Sequence, residues 1–259
     1  MLRDTLVKWR VTNALETFFR HYFQLDVLGR ERLGILREEP VMLVMNHTAF
    51  FALECYMIGS VILADHPEAD FRTLVWKGFS EGPASPWFRH LGCETATIAN
   101  GVRLLRDGHS VLIMPEGIDA TDVRNRMNRF HTGYLRMLRE HPVPIVPIGF
   151  HGVDQAIPWI VAHQPVLEKK LMHPVNPDWD FLLIPRLPIF RPAKVVFAVG
   201  EPIRLQPEAL ADEAALQATN RHIQGVISGL MDEAESHRRE CIERSGLNRW
   251  FHRLVEAPV

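Results

Sequence analysis

Cysteine is scarce in this chain of 259 residues: Cys55, Cys93 and Cys241 stand far apart. That spacing argues against a disulfide framework and against a zinc knuckle, whose ligands come in close-spaced pairs. A reducing cytoplasm is the expected compartment. Charge of one sign is also lacking. The 29 Lys and Arg nearly balance the 31 Asp and Glu, leaving a formal net charge of -2. Nothing therefore draws the whole surface toward nucleic acid or an anionic membrane, and any basic surface must be local. No apolar run is long enough to span a bilayer. The longest, residues 50–64, is short and carries Glu54, so a membrane role would have to be monotopic. The amino terminus shows no apolar segment with a small-residue cleavage site, so no secretory signal is expected. Internal repeats and low-complexity linkers are missing too, and one domain is the economical expectation.

What is present is a globular balance, 47% hydrophobic and 23% charged, which can bury a sizeable core. The chain is organised around Val-Met-Leu-Val-Met at 41–45, which ends at Asn46, His47 and Thr48. A continuous apolar run of that length predicts a strand buried on both faces. Phe50, Phe51, Leu53, Met57 and Ile58 then recur at roughly helical spacing, with Asn46 or Thr48 as the expected N-cap. Polar residues between a buried strand and a helix lie where open α/β sheets place their chemistry. His47, with an ordinary pKa near neutrality, is the expected proton carrier; a histidine satisfying a buried carbonyl is the alternative.

Further strands are predicted at 71–76, 94–98, 110–114, 143–150 and 194–199, with helices at 101–106, 134–139 and 209–243. Pro144 and Pro147 cannot donate to a ladder and place the 143–150 strand at an edge or at its own end. Residues 158–192 are rich in proline with weak periodicity and read as an exposed apolar loop or an irregular wall. Gly78-Phe79-Ser80-Glu81-Gly82 fits the Gly-x-Ser-x-Gly elbow of serine hydrolases. That elbow needs a helix at once, whereas Pro83 and Pro86 follow, and Pro86 disfavours helical geometry at Ser85. Lys77, after the 71–76 strand, is a candidate substrate contact. Arg124, Arg126 and Arg129 crowd a loop opposed only by Asp122, and guanidinium forks suit phosphate geometry. Residues 2–23 predict a helix in which Leu6, Trp9, Leu15, Phe18, Phe19, Tyr22 and Phe23 alternate with Arg3, Lys8, Arg10, Arg20 and His21. Rings and cations on one helix suit a membrane interface, although a helix that simply caps the domain has the same pattern. Trp250 and Phe251 form a second candidate anchor.

In order, these landmarks resemble the glycerol-phosphate and lysophospholipid acyltransferase family, of the bacterial 1-acylglycerol-3-phosphate acyltransferase type. The resemblance covers about residues 27–203. Asn46-His47 is similar to the opening of the family's His-x-x-x-x-Asp motif, and Met114-Pro115-Glu116-Gly117 to its Phe-Pro-Glu-Gly block. Phe130-His131-Thr132-Gly133 looks like Phe-Lys-x-Gly, Val146-Pro147-Ile148 like Val-Pro-Val, and Gly200-Glu201-Pro202-Ile203 like the Gly-Glu-Pro-Ile after the last strand. Three departures stand out. Ala52 occupies the motif aspartate's place, and the nearest acid is Glu54. Ile118-Asp119-Ala120 replaces Thr-Arg-Ser, and Ala99-Asn100-Gly101 lacks the family's arginine.

The resemblance implies an α/β fold: a mixed, largely parallel central sheet flanked by helices, with an amphipathic amino-terminal helix and a helical carboxyl-terminal tail. The expected division is 1–33 for the helix and lead-in, 34–205 for the core and 206–259 for the tail. It also implies transfer of a fatty acyl group from acyl-CoA or acyl-carrier protein to the hydroxyl of a lysophospholipid-like or other lipid acceptor, in phospholipid biosynthesis. No cofactor or metal is implied beyond the thioester co-substrate. The expected location is the cytoplasm, peripherally on the inner face of the membrane, with no nucleic acid partner. His47 would be the general base. A carboxylate must steady its far nitrogen, with Glu54 and Glu116 as candidates and Asp119 a weaker one. Backbone N–H groups just after His47 are the expected oxyanion donors. Asn46, Lys77, Pro115, Gly117, Arg124 and Arg126 are the expected substrate contacts. A catalytically impaired lipid-binding relative and a hydrolase using Ser80 are the competing expectations.

Overall fold

The computed structural model describes residues 2–47, 53–81, 85–117, 127–156, 159–162, 166, 182–185, 190 and 192–244. Arg124, Arg126, Thr48, Ala52, Asp119, Trp250 and Phe251 lie outside them. A helix, α1 (Leu2–Tyr22), leads to the short strand β1 (Asp26–Leu28) and a 3-10 helix over Arg30–Arg37. There follow β2 (Met42–Met45), α2 (Leu53–Asp65), β3 (Phe71–Val75), α3 (Lys77–Glu81), α4 (Ser85–His90) and β4 (Cys93–Thr95). Next are α5 (Ile98–Arg106), β5 (Ser110–Ile113), α6 (Gly133–Glu140), β6 (Ile145–His151) and α7 (Val153–Ala156). The hairpin strands β7 (Trp159–Ala162) and β8 (Leu182–Pro185), then β9 (Val196–Val199) and the long helix α8 (Glu213–Arg244), complete the described chain.

Seven strands form one sheet in the order β1-β9-β6-β2-β5-β3-β4. Every neighbouring pair is parallel except β6 with β9, so β1 and β9 run against the other five. The expected mixed, largely parallel α/β sheet is therefore the observed one. The apolar run at 41–45 supplies both faces of its centre. Val41, Leu43 and Met45 join the core beneath α1 and α2, while Met42 and Val44 join the core beneath α5, α6 and α8. Two-sided burial is why this strand shows no polar alternation.

Three expectations need correction. The 143–150 strand is not an edge, because β6 lies between β9 and β2. Pro147 is tolerated there because its carbonyl accepts from the Gly200 N–H at 2.8 Å. Its ring nitrogen thus faces the flank where β9 has already ended, and β2 loses no bond. The proline-rich stretch is not wholly irregular, since β7 and β8 pair antiparallel from Trp159–Pro185 to Ala162–Leu182. Pro86 does not keep helix away from Ser85: α4 begins there, and a proline in a first turn removes only an N–H that has no helical partner.

The described amino- and carboxyl-terminal helices are both packed into this frame. Phe19 and Phe23 are buried against α2, and Leu216, Ile223 and Ile227 of α8 enter the opposite core. At Gly149 of β6, a Cβ would come within 2.5 Å of the Met231 backbone nitrogen. Only glycine lets α8 lie this close to the sheet.

Candidate active site

β2, β3 and β5 are parallel, so their carboxyl ends deliver Asn46-His47, Lys77 and Pro115-Glu116-Gly117 to the same edge of the sheet. Glu54 arrives from the first turn of α2. Its carboxylate Oε1 is hydrogen-bonded to Nδ1 of His47. The sequence left the imidazole's acidic partner open between Glu54 and Glu116, and the ring is held by Glu54. Glu54 lies in the first described turn of α2, and its carboxylate reaches the ring from there. Among the described residues Nε2 of His47 has no hydrogen-bond partner, nor does the second oxygen of Glu54.

Glu116 is fully buried and holds the backbone instead. Oε1 accepts from the His47 N–H at 2.7 Å and Oε2 from the Asn128 N–H at 2.6 Å. One carboxyl group thereby ties the turn after β2 to the segment that enters α6. The His47 N–H is committed to this bond, so it is not available as an oxyanion donor; the residues just after it lie outside the described chain.

Electrostatics follow from this burial. Loss of water acts to lower the His47 pKa, but the Glu54 charge and hydrogen bond, aided by the Glu116 charge, outweigh it and raise the net value. Burial pushes Glu116 up to about 7, with the N–H groups of Asn128 and His47 pulling the other way. One imidazole and two buried carboxyl groups thus stand together at the carboxyl edge of the sheet.

The remaining sequence candidates separate. Asn46 was expected among the substrate contacts, but it is wholly buried and spent on β6. Its Nδ2 donates to the Phe150 carbonyl at 3.2 Å, and its Oδ1 accepts from the Phe150 N–H at 2.9 Å. Both ends of its amide are thus committed to the β6 backbone. Pro115 is buried, and its carbonyl accepts from the His131 N–H at 2.9 Å. Gly117 is exposed with φ +65, a conformation that favours glycine. Lys77 is exposed at the start of α3. Arg129 is also exposed, and its guanidinium reaches Gln217 at 3.5 Å. Ser80 lies inside α3, buried, sharing a 2.8 Å hydrogen bond with the Thr95 hydroxyl. That places it in a packed turn rather than at the exposed apex a nucleophile elbow requires. Asn128 was not foreseen, because a backbone donor leaves no signature in residue type.

Residues 24–151 match the family model described as Acyltransferase. This chain carries an acyltransferase-family domain. The domain spans β1 to β6 and so includes His47, Glu54 and Glu116. A solved structure of similar fold is the 1-acyl-sn-glycerophosphate acyltransferase PlsC from Thermotoga maritima. It has 18% sequence identity and a TM-score of 0.55, with 87% of this chain and 81% of that chain covered. No curated protein sequence gives a significant match.

Proposed function

We propose that this acyltransferase domain moves a fatty acyl group from a thioester, acyl-CoA or acyl-carrier protein, to the hydroxyl of a lysophospholipid-like acceptor, with His47 as general base. The observation that carries this reading is the bond between His47 Nδ1 and the buried Glu54 carboxylate. A carboxylate on Nδ1 fixes the tautomer that leaves Nε2 with a lone pair, and it stabilises the imidazolium once a proton arrives. In the reaction, Nε2 takes the acceptor's hydroxyl proton as that oxygen attacks the thioester carbonyl. The tetrahedral oxyanion then collapses, the C–S bond breaks, and the departing thiolate regains the proton from His47. No covalent enzyme intermediate is needed. Glu116 positions the reaction by holding the His47 backbone, so the base sits at a fixed height above the strand end.

The acceptor lives in a bilayer, and none of the described helices is long and apolar enough to cross one. The amino-terminal helix offers a way to lie on the surface. Val11, Leu15 and Phe18 are exposed in one stripe of α1, and exposed Phe190 packs edge-on to Phe23 nearby.

The test is incubation of the purified protein with acyl-CoA or acyl-carrier protein and a panel of lysolipids. Acyl transfer that His47→Ala abolishes is the expected result. Free fatty acid release that depends on Ser80, or lipid binding without turnover, would overturn the assignment.

A further inference from the structure

On the outermost strand β1, three strands along from β2 at the same edge of the sheet, three side chains of different chemistry converge. Asp26 opens β1, while His237 and Cys241 are one helical turn apart on the same face of α8. His237 Nε2 lies 3.1 Å from Asp26 Oδ2, Cys241 Sγ lies 3.5 Å from His237 Nε2, and Cys241 Sγ lies 4.0 Å from Asp26 Oδ2. We propose that Asp26, His237 and Cys241 form a zinc(II) site that clips α8 to the edge strand β1.

The spacing is the first argument. Tetrahedral zinc with ordinary bonds to sulfur, nitrogen and oxygen sets its ligand atoms about 3.3 to 3.6 Å apart. The triangle already formed needs only sub-ångström adjustment to accept the ion. The donor set is the second. Thiolate, imidazole and carboxylate are the three protein ligands zinc takes, and their combination is less suited to calcium or magnesium, which prefer oxygen alone. Both ring and sulfur converge on one carboxylate oxygen through the same imidazole nitrogen, Nε2. A Cys-His-Asp relay would instead use the two ring nitrogens for two different partners. This is the geometry of a shared ligand centre, not of an activated nucleophile.

Lys194 completes the cluster. Its buried ammonium contacts Asp26 Oδ2 and donates to the Gln24 carbonyl at 2.8 Å. Zinc binding would displace the Cys241 thiol proton to solvent and retain thiolate and carboxylate as two anions against the dication. The three protein donors leave a fourth position for water.

The test is titration of the full-length protein with Zn²⁺ against a competing chromophoric chelator, and separately with Co²⁺ as a spectroscopic probe. We expect one zinc per chain, binding weakened at least tenfold by His237→Ala or Cys241→Ser, and a thiolate-to-cobalt absorption band that Cys241→Ser removes. Zinc should also raise the melting temperature of the unaltered protein but not of Cys241→Ser. Absence of zinc binding overturns the proposal. So does a cobalt complex of the unaltered chain that lacks the thiolate band, which needs no variant to interpret. Binding that survives in Asp26→Asn, His237→Ala and Cys241→Ser alike would assign the ion to others of the 13 histidines and overturn it equally.

Discussion

An imidazole tethered through Nδ1 to a buried carboxylate holds its proton more tightly than a free one. With His47 as base, kcat/KM should rise with pH through an apparent pKa above the ordinary ~6.5 of histidine. Glu54→Gln should lower kcat by on the order of 10³ to 10⁴, as loss of an orienting acid does in a serine protease, and move the inflection to lower pH. Steady-state rates across pH check both. An unchanged profile in Glu54→Gln would remove the glutamate from the mechanism. Glu116 makes a separate prediction about stability. Its native pKa of about 7 lies above the value of 4.5 it would have in an unfolded chain. The native state therefore keeps a proton that the unfolded state releases, and the Glu116 contribution is fully present below pH ~4.5 and lost as pH rises to ~7. Glu116→Gln should flatten that part of the stability profile, measured as denaturation midpoints at several pH values. At this scale the sequence was legible for residue types but not for partners. His47 and two acids were visible, but which acid meets the ring is set by tertiary placement, which residue types do not encode. Asn46 shows the limit: a polar residue at a strand end looks the same in sequence whether it faces a ligand or a neighbouring backbone.

Elements were read more securely where burial left a pattern. The runs at 41–45, 110–114 and 194–199 each became a sheet strand buried on both faces, and 71–76, broken by Arg72 and Thr73, became one whose first two residues are half-buried. Beyond Pro86, proline misled at two places for non-local reasons. At 147 its cost depends on whether the partner strand extends that far, and at 158–192 it obscured the β7–β8 hairpin. Neither is a local property. α1 shows the same limit differently. The periodicity of 2–23 fits both a capping helix and an interfacial one, and the two faces divide those roles. Phe19 enters the core, while Phe18, stacked on Tyr22 at 5.2 Å, stands 50% exposed. If that stripe meets lipid, Leu15→Glu with Phe18→Glu should abolish flotation with anionic vesicles while the melting temperature stays close to that of the parent. Unchanged flotation would assign membrane contact to another surface.

For the molecule as a whole, the direction reversal between β6 and β9 matters most. β1 pairs only with β9, residue 26 opposite residue 196, and the Val195 N–H bonds to the Phe23 carbonyl at 3.1 Å. A chain ending at residue 192 should therefore keep the β2, β5 and β6 pairings in principle but lack the partner of its own first strand, the cover that α8 gives to β6, and cooperative unfolding. Hydrogen exchange on such a truncation would show β1 amides unprotected; protection equal to that of the intact protein would contradict this. During synthesis on the ribosome the same dependence becomes a matter of time. β1 is synthesised some 170 residues ahead of the strand it pairs with. In that interval the rings beside it, Phe19 and Phe23, are free to meet a membrane or a chaperone before β9 exists.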